Sequence, residues 1–138
     1  MSLSALLERV EGATGPDREI EARLWCWVEG LTFRKLIWSD YKYPDGQKHW
    51  HSFRTSGGDK SGHGVPRYTA SVDAALALIG RVLPGCSWKL EARWARIYTA
   101  DDAYSGSAPT PAQAHCAAML APMIREEAEP TPPTTQTP

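Results

Sequence analysis

The chain has 138 residues, a length at which one domain can bury a core without metal or disulfide support. Its 15 basic and 16 acidic residues leave a net charge of −1, which excludes an overall field that attracts nucleic acid or an anionic membrane. Three cysteines, Cys26, Cys86 and Cys116, form no CxxC pair, and their odd number favours a reducing compartment over a disulfide framework. Early charges indicate no signal peptide, and no apolar run reaches the ~18 residues of a membrane span. We therefore expect a cytoplasmic protein without a membrane partner.

The stretch ATGPDREIEARL (residues 13–24) combines a glycine turn with carboxylates and arginine. These residues suit either a functional cluster or the start of a helix. We favour the helix start, with the N-cap at Gly15 or Thr14 and Pro16 in the first turn. Asp17 and Glu19 then face the positive end of the helix dipole, which is where carboxylates are expected.

Three other segments carry helix signals. Residues 3–10 place leucine and valine at helical spacing behind Ser2, a good N-cap. Ser71 caps a second apolar helical pattern. The sequence TPAQ (110–113) is a capping box with proline at the first helical position, and Pro122 should kink that last helix or end its regular part.

The remaining segments indicate strands and loops. Residues 32–54 are rich in aromatic and β-branched side chains on both sides of a Pro-Asp-Gly turn, which predicts a hairpin. The glycine-rich residues 55–66 predict a mobile surface loop. CSWKLEARWARIY (86–98) alternates as one half-buried strand with Trp88 and Trp94 on the same face, and residues 99–108 resemble a turn.

The order of these elements predicts an α+β fold, in which one small antiparallel or mixed sheet is sandwiched by about four helices. We expect a single domain over residues 1–127. Residues 128–138 are rich in proline and threonine and lack large apolar side chains, so we expect a disordered tail.

Four separated strings resemble a known family: ATGPDREI (13–20), PRYTASVDAALALI (66–79), CSWKL (86–90) and TPAQAHCAAMLAPMI (110–124). In this order they look like the phage ABA-sandwich domain proteins, small proteins of bacteriophages and prophages, and the resemblance covers residues 3–127. It implies a sheet between helical layers in a protein of the host bacterial cytosol, and it supplies no catalytic residue. The chain departs from the family pattern at residues 32–54 and in the glycine loop, where a function particular to this protein would lie.

The predicted hairpin interleaves aromatic rings with cations, a combination that suits stacking on bases, pairing with phosphates, or a protein interface. Strand alternation means that some of these rings belong to the core instead. The candidate binding residues are Trp38, Tyr41, Tyr43, His49, Trp50, His51, Arg54 and Lys60.

Catalytic signatures are weak. GGDKSG (57–62) is not a phosphate-binding Walker loop, because Asp59 precedes the lysine and no helix follows directly. His49, His51 and His63 have a spacing that permits zinc without indicating it. His115 and Cys116 diverge by about 100° on a helix and so do not form a nucleophile pair. We expect no catalytic residue, no metal and no cofactor.

Three functions follow from these observations. We favour a non-enzymatic phage accessory protein that binds a host protein or a small nucleotide-like ligand, and thereby counteracts a bacterial defence system. The alternative is a phage structural protein, or one associated with single-stranded nucleic acid through the basic aromatic hairpin. A hydrolase that uses the three histidines is the least favoured. Nucleic acid is a partner only in the second, and a homodimer is compatible with each.

Overall fold

The computed structural model describes residues 2–128, which form four α-helices and six β-strands. The helices are α1 (Leu3–Gly12), α2 (Arg18–Glu29), α3 (Val72–Val82) and α4 (Pro111–Ala128). The strands are β1 (Phe33–Trp38), β2 (Trp50–Thr55), β3 (Gly58–Ser61), β4 (Ser87–Leu90), β5 (Trp94–Tyr98) and β6 (Ala103–Ser107), and a short 3-10 helix spans Gly62–Gly64. The predicted α+β class with four helices is confirmed. The predicted tail lies outside the described residues, apart from its first residue, Ala128, which ends α4.

The strands form two antiparallel three-stranded sheets rather than the single sheet expected. The first has the order β1-β2-β3 and the second the order β4-β5-β6. The predicted hairpin supplies β1 and β2, and the supposedly mobile glycine segment adds β3, with Lys60 opposite Phe53. The supposed turn adds β6, with Tyr104 opposite Ile97. Each missed strand pairs with the strand immediately before it in the chain, and its own composition, which lacks apolar alternation, does not reveal that pairing.

Residues 13–24 contain the start of α2, as expected, but the N-cap residue differs from those predicted. Asp17 is the N-cap, and its Oδ1 accepts hydrogen bonds from the backbone N–H groups of Glu19 at 2.9 Å and Ile20 at 3.1 Å. The expected caps, Thr14 and Gly15, lie before the helix. Asp17 is a more favourable N-cap than Thr14 or Gly15, because its carboxylate accepts from two free N–H groups and also interacts with the positive end of the helix dipole.

The other helix signals are confirmed at their starts. Ser2 and Ser71 accept from the backbone N–H groups of Ala5 and Ala74, and the Thr110 hydroxyl accepts from the N–H of Gln113. Helix α4 continues through Pro122 as far as Ala128. Of the two outcomes expected at Pro122, a kink or an end of the regular helix, the second was therefore wrong. Proline removes one backbone hydrogen bond, and the buried packing around it offsets that loss.

The main core joins α1, α2 and α3 to the nearly continuous buried face of α4 and to β5. The α4 face is rich in alanine, so neighbouring backbones approach it closely. Gly106 of β6 marks the closest approach, because a Cβ built there would lie 2.3 Å from the backbone nitrogen of Ala118 and 2.8 Å from the carbonyl oxygen of Ala114. The second sheet is therefore seated directly on α4.

A smaller cluster holds the first sheet on the opposite side of α2. It consists of Ala22, Cys26, Phe53 and Val65. The Trp25 ring meets the Phe53 ring edge to face, with centroids 5.7 Å apart. Each sheet thus rests on a different helix, the first on α2 and the second on α4.

The strand predicted over residues 86–98 is interrupted, and as a result Trp94 lies on the opposite face of the sheet from the one predicted. Residues 91–93 form a turn between β4 and β5, so alternation does not continue across them. Trp88 meets the ring of His115 on α4, with centroids 5.3 Å apart. Trp94 lies on the other face, because its neighbour Ala95 is the residue buried against the core.

A buried carboxylate ties α2 to the segment before α3. Glu21 is fully buried, and its Oε2 accepts from both the hydroxyl of Thr69 at 2.6 Å and its backbone N–H at 2.9 Å. Its Oε1 accepts from Arg18 at 2.6 Å. The charges and hydrogen bonds compensate one another, so the group is stable only as a complete set.

His115 is a buried imidazole whose two ring nitrogens have no hydrogen-bond partner within residues 2–128. Burial lowers its pKa, because a charged ring would lose its hydration. The unfolded chain therefore binds more protons than the folded one once the pH falls below about 6.5, the ordinary histidine value. Stability should be complete above that pH and should fall towards the lowered folded-state pKa.

We expect His115→Leu to reduce this acid-dependent loss of stability. At neutral pH its free energy of unfolding should equal that of the unmodified protein or exceed it by up to about 2 kcal/mol. Urea unfolding of both proteins between pH 5 and 8 (roughly the histidine range) measures the difference. His63→Leu removes an exposed imidazole and is the control. An acid dependence that is the same in His115→Leu and in the unmodified protein would contradict the assignment.

Candidate ligand-binding cleft

A cleft of about 370 Å³ lies between the turn end of the first hairpin and the segment that follows β3. Its volume is within the range of small-ligand sites. Side chains from three parts of the chain form its walls: Arg18, Trp38, Gln47, Lys48, His49, Trp50, His51, His63 and Arg67, with the backbone of Gly62.

The lining is basic and aromatic, and no aspartate or glutamate of residues 2–126 belongs to it. Trp38 is 51% exposed, so a ring face is open to a ligand. Within the described part of the chain, the side chains of Lys48, His63 and Arg67 form no ion pair and no side-chain hydrogen bond, which leaves their donors available. The free cations Lys48 and Arg67, beside an exposed aromatic ring, suit an anion with a planar part.

Arg18 is a wall of the cleft, and its donors are already used. Its guanidinium donates to the carbonyl oxygens of Gly62 at 2.8 Å and Val65 at 3.1 Å, in addition to its ion pair with Glu21. A Cβ at Gly62 would lie 3.0 Å from the Trp50 ring and 3.1 Å from the His51 carbonyl oxygen. These contacts fix the segment against both α2 and β2, so the cleft is formed before a ligand arrives.

Two histidines of the cleft are held by neighbours in the hairpin loop. The Nε2 of His49 is 2.9 Å from a carboxylate oxygen of Asp45. A backbone N–H bond from Gln47, followed by the His49 contact, lowers the pKa of Asp45. His51 hydrogen-bonds the hydroxyl of Tyr43, whose ring also meets His49 edge to face at 4.3 Å. No serine, threonine or cysteine side chain within residues 2–128 hydrogen-bonds either imidazole, so no nucleophile–base pair is formed here.

The structure brings half of the predicted binding residues into this cleft. Trp38, His49, Trp50 and His51 line it. Trp50 is half-buried, because its ring also packs edge to face on Phe53 at 6.1 Å. Only part of its ring is therefore open to a ligand.

The other predicted residues lie outside the cleft lining. Tyr41, which is 65% exposed, and Tyr43 line a neighbouring depression in the hairpin loop. Arg54 pairs with Asp59 at 2.9 Å on the exposed surface, and this contact lowers the pKa of Asp59. Lys60 pairs across the sheet with Phe53. Strand direction separates these positions from the turn end, although they are close in sequence.

Sequence reasoning missed the cations that complete the cleft. Arg67 lies sixteen positions after His51 (67 − 51), beyond β3, and no local motif marks it. Arg18 was read as part of a helix start, and Lys48 was one of several hairpin cations. The glycine content of residues 57–64 was the available signal, since it permits the close backbone approach seen at Gly62.

The three cleft histidines do not make a metal site. Within residues 2–128, no three histidine, cysteine, aspartate or glutamate side chains are grouped closely enough to hold an ion. The Sγ of Cys116 donates to the carbonyl oxygen of Tyr68 at 3.4 Å, and burial raises its pKa to about 12. The thiol thus stays protonated.

Comparison with known proteins gives no family. No protein-family model, curated protein or solved structure matches this chain. None of the helices in the described range is long and apolar enough to cross a bilayer. The resemblance to phage ABA-sandwich proteins stays a prediction from the sequence.

Proposed function

We propose that this protein is a non-enzymatic binding protein whose cleft takes a small nucleotide-like anion. The observation that carries the proposal is the basic and aromatic lining without a carboxylate, in which Lys48 and Arg67 have unused donors. In this arrangement the planar base packs on the exposed Trp38 ring. Phosphate oxygens accept hydrogen bonds from Arg67, Lys48 and His63.

The resemblance extends this proposal to a biological role. As a phage or prophage accessory protein in the host bacterial cytosol, it would sequester a nucleotide-like molecule on which a bacterial defence system depends. A host protein that inserts an acidic side chain into the same cleft is the related possibility. The hairpin as a platform for single-stranded nucleic acid has less support, because Arg54 is paired with Asp59 and Trp50 packs on Phe53.

Calorimetric titration with ATP, inorganic pyrophosphate and adenosine tests the cleft directly. We expect ATP to bind more tightly than either pyrophosphate or adenosine, since each lacks one half of the recognised chemistry. Arg67→Gln should weaken ATP binding about 10-fold or more, because a hydrogen bond to a charged group contributes about 1.5–3 kcal/mol.

Arg93→Gln is the matched control, because Arg93 is also an exposed arginine, forms no ion pair with any described residue and lies outside the cleft. Equal weakening by both substitutions would assign the effect to net charge rather than to the cleft. The absence of a heat of binding in the titrations with all three probes would also overturn the proposal.

A further inference from the structure

The outer face of the second sheet carries three planar side chains in a row that no described element covers. On the central strand β5, Ala95 and Ile97 are buried against the core, and the alternate positions Trp94, Arg96 and Tyr98 are exposed. Trp94 is 37% exposed and Tyr98 is 38% exposed. Two large rings on one open sheet face form a surface that stability alone does not require.

The middle group of the row is held in place. The Nε of Arg96 donates to the hydroxyl of Ser105 on β6 at 3.1 Å. Its guanidinium carbon lies 5.9 Å from the centroid of the Trp94 ring. Alternate residues of a strand are about 7 Å apart, so the Cα atom of Arg96 lies about that far along β5 from the Cα atom of each aromatic residue. The result is an ordered row of ring, cation and ring.

The charge of this face is positive. Strands β4, β5 and β6 contain Lys89 and Arg96 and no aspartate or glutamate. The pairing register places Lys89 directly beside Arg96. A shallow depression of about 350 Å³ next to Trp94 has one acidic residue in its lining, Glu11 of α1. Neither Lys89 nor Arg96 forms an ion pair within residues 2–128.

We propose that the row Trp94–Arg96–Tyr98 is a binding platform for single-stranded nucleic acid. Bases stack on the Trp94 and Tyr98 rings, and Arg96 and Lys89 pair with the phosphates between them. A duplex does not fit this chemistry, since its base faces are already stacked. The platform is separate from the cleft, and its function does not depend on the ligand proposed there.

The same charges disfavour other occupants of the face. In a two-fold contact with a second copy, this patch would meet itself and bring the Arg96 and Lys89 side chains of both copies together. A neutral polysaccharide would use the rings and leave the two cations unpaired and partly desolvated. An extended polyanion with exposed bases satisfies both the rings and the cations.

Fluorescence anisotropy with labelled single-stranded oligothymidylate and oligouridylate tests the platform. We expect Trp94→Ala to weaken binding about 10-fold, since stacking on one ring contributes about 1–3 kcal/mol per base. Arg96→Gln should reduce the slope of log K against log salt by about 1. Arg34→Gln removes an exposed arginine of the first sheet and should leave binding unchanged.

Several results would overturn this proposal. One is the lack of oligonucleotide binding at low salt, and another is equally tight binding of a duplex. Weakening by Trp38→Ala with no effect of Trp94→Ala would move the contact to the hairpin. Self-association in analytical ultracentrifugation that Trp94→Ala abolishes would assign the face to a second copy, and retention on a polysaccharide matrix that Trp94→Ala abolishes would assign it to a glycan.

Discussion

Gly106→Ala should lower the free energy of unfolding by about 3 kcal/mol or more, at the upper end of the usual cost of overpacking. The added methyl group would meet the backbone of α4, with the Ala118 nitrogen 2.3 Å from the Cβ position, and not a side chain that can rotate away. Strand β6 must therefore move off the helix. Urea unfolding followed by circular dichroism measures the loss as a lower midpoint.

Gly80→Ala is the matched control for this change. Gly80 is exposed within α3, and nothing lies within 4 Å of its Cβ position. Alanine there should stabilise the protein by up to about 1 kcal/mol, because it restricts the unfolded chain and favours helix. The same glycine-to-alanine change should thus lower the free energy of unfolding at position 106 and raise it at position 80. If Gly106→Ala were as stable as Gly80→Ala, the second sheet would not be seated on α4 as described.

Glu21→Ala should have the second large effect, a loss of about 3 kcal/mol of stability. The substitution leaves the hydroxyl and N–H of Thr69 without their acceptor and separates Arg18 from its carboxylate. Arg18 retains some contact with solvent, at 30% side-chain exposure, which keeps the expected loss near the lower end for a buried pair. Chemical denaturation at neutral pH is again the measurement.

Glu29→Ala provides the comparison on the same helix. Glu29 also pairs with an arginine, Arg81, but the contact lies on the surface. Its removal should change the unfolding midpoint very little, since solvent replaces an exposed ion pair at small cost. If Glu29→Ala and Glu21→Ala were equally destabilising, the cost would arise from helix charge rather than from the buried network.

The parts of the fold that sequence predicted were those with local causes. The helix starts were predicted from their N-cap residues, Ser2, Ser71 and Thr110, because a cap is a contact with the next few residues. Strands β3 and β6 were missed, since sequences such as GDKS and AYSGS have no apolar alternation and become strands only by pairing with β2 and β5. Trp94 was assigned to the wrong face because alternation was carried through a turn.

The same distinction applies to the residues of the candidate cleft, some of which the sequence identified and some of which it did not. His49 and His51 were identified because the aromatic hairpin is continuous in sequence. Arg67 was not, since it reaches the cleft only after β3 has turned the chain back along β2. Arg54 and Lys60 lie outside the cleft lining, because residues that are close in sequence can lie far apart along a strand, and their binding roles stay predictions.

The two hydrophobic clusters are unequal, and the smaller one holds the sheet that forms one side of the cleft. The first sheet is secured by few large buried side chains, chiefly Phe53, whereas the second shares the main core. Segments with sparse buried contacts open at a lower free energy than the whole domain. We therefore expect the first sheet to open locally at a lower free energy than the second, with the main core still folded.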